Sequence, residues 1–348
     1  MKLLDIIEEA LRSDASDIHI TVGAPPAIRA GGEITRLASP DLTPKDTADI
    51  ADEIFEYNDV KAMLEEKGEV DFSFAIPNKG RFRANIYKQR GSIAIAIRLI
   101  GMEIPDVKEL CLPEVVVDLW QKQRGMILVT GPTGSGKSTT LAALVNLINE
   151  NRSSHIITLE DPIEYMHKHK NSLVNQREIG IDSKSFANAL RSALREDPDV
   201  ILIGELRDNE TISTALTAAE TGHLVFGTLH TMGAAKTIDR IIDSFPGEQQ
   251  QQVRVQLASV LQAVITQQLI PNRDRRVPAF EVMICTHAVA NLIREGKTHQ
   301  IDNMIQTGTR FGMQTMDGDL MTLYKKGLIS REDVLTYSFD TEIMEKMV

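Results

Sequence analysis

The chain has 348 residues with a formal net charge of −11, and 42% of its residues are hydrophobic and 25% charged. That length exceeds one ordinary core and suits two domains, in the proportions of a soluble globular protein. The acidic balance argues against a broad nucleic-acid-binding surface, and no apolar run approaches the roughly 18 residues that a membrane span needs.

The N-terminal stretch Met1-Lys2-Leu3-Leu4-Asp5 carries an acid within its first turns, unlike a secretory signal. Leu4, Ile7 and Leu11 instead share one face of a predicted helix over 2–12. Membrane association is therefore expected only through a partner protein. Cys111 and Cys285 stand far apart with no CxxC, which fits reduced thiols and excludes a zinc ribbon or a redox motif. A second helix is predicted over 44–66. Val70 to Ile76 and Arg81 to Tyr87 alternate in polarity, and Ser92 to Leu99 is rich in β-formers. With turns at Pro77-Asn78-Lys79-Gly80 and Arg90-Gly91, this predicts antiparallel hairpins. The pattern breaks at Gly101 to Pro105, and a proline-containing stretch runs to Pro113. The expected domains are 1–100 and 114–348, with a linker over 101–113.

Beyond the linker, apolar runs at 126–130, 155–159, 200–203 and 224–228 alternate with helical segments. Such runs predict a mostly parallel sheet covered on both faces. After 246 the chain reads as mainly helical, apart from a strand at 278–285.

Gly131-Pro132-Thr133-Gly134-Ser135-Gly136-Lys137-Ser138 is a complete GxxxxGK[ST] between the strand Met126 to Thr130 and a helix beginning at Thr139. Glycines let the backbone N–H groups curl around phosphates, and the helix N-terminus adds a favourable dipole. Lys137 is expected to reach the β- and γ-phosphates of ATP, and the Ser138 hydroxyl to ligate Mg²⁺. Hydrolysis also needs acids. The run Ile156 to Leu159 ends in Glu160, Asp161 and Glu164, and Val200 to Ile203 ends in Gly204-Glu205. Both clusters fall at carboxyl ends of strands, where parallel α/β sheets bind ligands. Asp161 precedes a proline and reads equally as a turn residue. Gly204 stands where an aspartate would ordinarily hold the metal, so that role is expected to pass to Glu160 or Glu164, leaving Glu205 to orient water.

These motifs, with Thr221-Gly222-His223-Leu224-Val225-Phe226-Gly227-Thr228-Leu229-His230-Thr231 and Ala15-Ser16-Asp17-Ile18-His19-Ile20, resemble those of the secretion ATPases of type II secretion and type IV pili. Asn291 to Glu295 and Gly312 to Asp317, and the lack of a tetracysteine motif and of an additional N-terminal domain, are similar to the pilus-retraction branch. One departure is Ala290, where that branch's motif has arginine. The resemblance implies a PAS-like α/β domain followed by a RecA-like P-loop core with a helical C-terminal portion. It further implies a cytoplasmic homohexamer at the inner face of the membrane, working on the inner-membrane platform protein and binding no nucleic acid. Extension, secretion or an accessory retraction role stay open as alternatives.

Further candidates follow from the same resemblance. Read alone, His223 and His230 are core or capping histidines; by resemblance, His230 is the better candidate for sensing the γ-phosphate. Arg81, Arg83 and Arg98 lie on predicted strands, with Arg81 and Arg83 on one face, and are either surface cations or finger-like groups for the transferring phosphoryl.

Overall fold

In the computed structural model, which describes residues 2–58, 60–101, 104–272 and 275–348, the chain partitions into two units. One comprises Met1–Glu103 with Glu164–Met166, the other Ile104–Ile163 with His167–Val348. Met102 and Glu103 of the expected linker lie outside the described residues.

The first unit is a six-stranded antiparallel sheet in the order β3-β2-β1-β6-β5-β4. Its strands are β1 (Ala15–Ile20), β2 (Ala27–Ala30), β3 (Glu33–Arg36), β4 (Glu69–Ile76), β5 (Gly80–Gln89) and β6 (Ser92–Ile100). The three hairpin strands predicted from alternation are present, whereas β1–β3 are too short and mixed to have announced themselves. Helices α1 (Leu3–Arg12), α2 (Pro44–Phe55) and α3 (Lys61–Lys67) cover the apolar face, joining Ile6, Ile7, Ile50, Ile54 and Leu64 to Ile18, Phe72 and Ile97 in one core. The single helix expected over 44–66 is thus two. The first begins in a capping box, Thr43 with Asp46, followed by Pro44 at the first helical position.

The second unit is built on a seven-stranded sheet, β13-β12-β7-β11-β10-β8-β9. In chain order its elements are α4 (Glu114–Val117), β7 (Gly125–Thr130), α5 (Lys137–Asn151), β8 (His155–Glu160), β9 (Leu173–Glu178), α6 (Phe186–Ala193) and β10 (Val200–Ile203). They continue as α7 (Asn209–Glu220), β11 (Leu224–Leu229), α8 (Ala234–Asp243), α9 (Gly247–Val260), β12 (Leu261–Asn272) and β13 (Arg275–Ile284). The four predicted strands are β7, β8, β10 and β11; each is buried along its centre because helices cover both sheet faces. All pairings are parallel except β12 with β13. Two strands depart from expectation. β9 is a half-exposed edge strand with little apolar signal, and after α9 the strand β12 takes part of the stretch expected to be helical. A buried run such as Ala263-Val264-Ile265 has no polar face, so its period cannot separate strand from helix.

Five helices complete the unit: α10 (His287–Arg294), α11 (Ile301–Thr307), α12 (Met316–Lys325), α13 (Arg331–Tyr337) and α14 (Thr341–Glu345). Met316 and Leu320 of α12 pack on Ile270 and Ala279 of the β12–β13 pair. Among the described residues no helix is long and apolar enough to cross a membrane.

Candidate nucleotide-binding and hydrolysis site

The parallel sheet brings four strand ends to one edge: Thr130 of β7, Glu160 of β8, Ile203 of β10 and Leu229 of β11. The loop Gly131–Gly136 leaves β7 and enters α5 at Lys137. Gly131 has φ +136°, and a Cβ there would stand 2.2 Å from the Gln267 carbonyl, so the loop can press on β12 only without a side chain. Gln267 also receives the Thr140 hydroxyl at 2.8 Å and thereby ties the first turn of α5 to β12. Lys137 folds back to donate to the carbonyls of Gly131 (2.8 Å) and Pro132 (2.9 Å). Ser135 is 2% exposed, and its hydroxyl oxygen has no hydrogen-bond partner among the described residues. A buried orphan hydroxyl inside a loop of backbone donors fits a phosphate oxygen. Pro132, Thr133 and Gly134 form the exposed crest of the loop, and Ser138 and Thr139 are half-buried in the first turn of α5.

Glu160 ends β8, and its Oε1 accepts from the Thr158 hydroxyl at 2.6 Å and the Gln176 amide at 3.2 Å. Glu164 is exposed and belongs to the segment that groups with the first unit. Gly204 explains its own departure from the expected aspartate. Its N–H donates to the Leu159 carbonyl at 2.7 Å, and a Cβ would sit 3.2 Å from that oxygen and 3.3 Å from Glu160 Cα. A side chain at 204 would need the end of β8 to give by a few tenths of an ångström, and the acids flank this position.

Glu205 follows, held between Arg207 and His230. Arg207 Nη2 lies 2.6 Å from its Oε2 and His230 Nε2 lies 3.3 Å from its Oε1. Burial pushes the Glu205 carboxyl up, but the hydrogen bond and charge of Arg207, and then His230, outweigh it and leave the group below the ordinary carboxylate range. Glu205 is therefore ionised at neutral pH. His230 Nδ1 stands 3.5 Å from the Thr133 hydroxyl of the phosphate loop, so one imidazole spans the acid and the loop. His223 lies at the other end of β11, its Nδ1 2.9 Å from the Ala218 carbonyl and 3.2 Å from the Thr221 hydroxyl, where it closes the end of α7. Of the two histidines, only His230 stands beside Glu205.

The three arginines share the helix-free face of the first unit's sheet. Arg83 and Arg98 are cross-strand partners, and Arg81 is two residues before Arg83. Arg83 pairs with Asp71 at 2.6 Å and Arg98 with Asp17 at 3.0 Å, both within that sheet. Sequence reasoning missed Arg207, Gln267 and Gln176. Arg207 had one available signal, its position two residues after the strand-end acid.

No cluster of three or more His, Cys, Asp or Glu able to hold a metal occurs among the described residues. Magnesium needs no such cage, since it is held by a hydroxyl, one or two carboxylates, phosphates and water. Ser138 and Glu160 offer that donor chemistry.

Residues 89–309 match the family of type II/IV secretion system proteins. The chain is 49% identical to the type IV pilus retraction ATPase PilT of Pseudomonas aeruginosa, over 96% of this chain and 97% of that one. It is likewise 49% identical to the twitching motility protein of Neisseria gonorrhoeae, over 92% and 86% of the two chains. A crystal structure of the pilus retraction motor PilT with bound ADP superposes with a TM-score of 0.93 at 54% identity, covering 100% of both chains.

Proposed function

Because the chain belongs to the type II/IV secretion system protein family, we propose that it is a motor ATPase that hydrolyses ATP to power type IV pilus retraction and twitching motility. The observation that carries this reading is the placement of ionised Glu205 between Arg207 and His230, with His230 also reaching Thr133 of the phosphate loop. Gly131 to Thr139 hold the triphosphate, with Lys137 on its terminal phosphates. Glu205 orients and deprotonates the attacking water. Bound Mg²⁺ supplies charge neutralisation of the phosphate oxygens, and Ser138 and Glu160 hold it, with Glu164 as a further candidate. His230 transmits the state of the loop to α8, which starts four residues later. By resemblance, Arg81, Arg83 and Arg98 are candidates to supply positive charge to the transferring phosphoryl group of a neighbouring subunit in the ring.

The chain works as a homohexamer in the cytoplasm, against the inner face of the membrane, on the platform protein of the pilus base. Light scattering at micromolar concentration with an ATP analogue is expected to give six times the 38.6 kDa chain mass. A monomeric mass would count against the ring.

A strain whose gene copy carries Glu205→Gln tests the direction of work. Immobile cells bearing excess surface pili are expected; cells without pili would mean that the chain drives assembly. One observation favours a second reading, an accessory retraction role. Ala290 is 5% exposed and packed in the core, so α10 lacks the cation that the retraction-branch motif carries there. Normal motility and pilus number in the Glu205→Gln strain would favour that reading.

A further inference from the structure

We propose that Gln176 is a positioning residue for hydrolysis, its amide N–H fixing the Glu160 carboxylate while its carbonyl anchors the chain that follows. This rests on the reading of Glu160 as an acid of the nucleotide site.

β8 and β9 run parallel, with Thr158 beside Gln176 and Glu160 beside Glu178. Thr158 and Gln176 therefore point to the same side of the sheet, and both donate to one oxygen, Glu160 Oε1, at 2.6 and 3.2 Å. A carboxylate at a strand end retains rotation about its last bond. Two donors from a rigid pair of strands, converging on one oxygen, remove that rotation.

The other end of the Gln176 amide is also committed. Its Oε1 accepts the His167 backbone N–H at 2.7 Å. Two residues along the strand, buried Glu178 accepts the Ile163 N–H at 3.0 Å. The segment that leaves β8 after Glu160 thus hangs at both ends, Ile163 and His167, on side chains of β9. Gln176 is the member of the pair that also touches the acid. Only an amide can do both tasks, since a carboxylate would accept from His167 but could not donate to Glu160, and an aliphatic side chain would do neither.

These alternatives make the test. Steady-state phosphate release by the full chain is measured for Gln176→Glu, Gln176→Leu, Glu160→Gln and the Gln176→Leu/Glu160→Gln double variant. Melting temperature and the affinity of a fluorescent ATP analogue without Mg²⁺ are followed alongside. Gln176→Glu keeps the His167 anchor but sets a second carboxylate against Glu160, so its melting temperature is expected to fall by a few degrees. The Gln176→Leu cycle separates that repulsion from lost positioning. The kcat of Gln176→Glu is expected to fall about tenfold or more, with analogue affinity within about twofold, because displacing a reacting group by under an ångström costs up to about 10² in rate. Gln176→Leu is expected to lose a similar factor, and to add less than about twofold in the Glu160→Gln background, since groups acting through one another are not additive.

A Gln176→Glu variant with parental kcat would overturn the inference. So would a Gln176→Leu effect of equal size with and without Glu160, which would place its action elsewhere. A Glu160→Gln variant with parental turnover would instead remove the reading of Glu160 itself, a failure distinguishable from the other two.

Discussion

Glu205→Gln is expected to lower ATP turnover by about 10² to 10⁴ while leaving nucleotide affinity nearly unchanged, the range that loss of a positioned general base ordinarily costs. The amide is the same size and can still accept from Arg207, so the loop between β10 and α7 keeps its shape. It cannot take a proton or carry the negative charge that Arg207 now neutralises. The triphosphate contacts lie elsewhere, on the loop from Gly131 and on α5, so binding survives. Phosphate release measured beside binding of a fluorescent ATP analogue separates the two. Lys137→Ala is the contrasting control, because it removes the buried cation that bridges the Gly131 and Pro132 carbonyls and should weaken binding as well. Parental turnover in Glu205→Gln would remove Glu205 from the hydrolytic step. Loss of analogue binding would mean instead that the residue holds the loop together.

The same geometry explains why the acids stand where they do. A metal-binding aspartate directly after β10 would meet Leu159 and the start of Glu160, because the Gly204 N–H is bonded to β8 at that point. The backbone contact closes β8 and β10 tightly, with Glu160 of β8 level with Gly204 and Glu205 one residue beyond it after β10. Thr228 of β11 reinforces the closure by donating to the Gly204 carbonyl.

Much of this was legible before the fold was known. The phosphate loop, the strands β7, β8, β10 and β11, and the acids at their carboxyl ends follow from periodicity and motif spacing, because each is a local property. The rest depends on which distant strands become neighbours. Gln267 meets Thr140 across 127 residues and His230 meets Thr133 across 97, and no local pattern encodes either pairing. β12 was obscured for the same reason, since a strand buried on both faces shows no alternation. His223 and His230 look equivalent in sequence, flanking one apolar run. A parallel strand has two chemically different ends, and His230 stands at the carboxyl end, the one that carries the phosphate loop.

Glu281→Gln is expected to stabilise the chain at pH 8 and to change little at pH 5. Glu281 on β13 is 4% exposed, and it accepts the backbone N–H of Ala234 at the start of α8 at 2.8 Å. The backbone of Met316 at the start of α12 also favours its charged form. Two helix N-termini favour its anion, and Asp302 and Asp317 oppose it, but burial dominates and pushes the carboxyl from the ordinary 4.5 up to about 7. Between those two values the folded chain holds a proton that the unfolded chain has released. Stability therefore falls as pH rises through this window, and the full penalty persists above it. Carrying one buried carboxyl across that interval corresponds to roughly 3 kcal/mol at complete ionisation. Glutamine presents the same carbonyl to Ala234 and does not ionise, so it should recover a sizeable part of that penalty. At roughly 2–4 °C per kcal/mol, a rise in melting temperature of about 4–8 °C at pH 8 is expected, shrinking to within about 1 °C at pH 5. Equal shifts at both pH values would show that the substitution acts by packing and that Glu281 does not titrate in this window. A loss of stability at pH 8 would show that the anion is the favoured form, held by the two helix starts more strongly than burial opposes it.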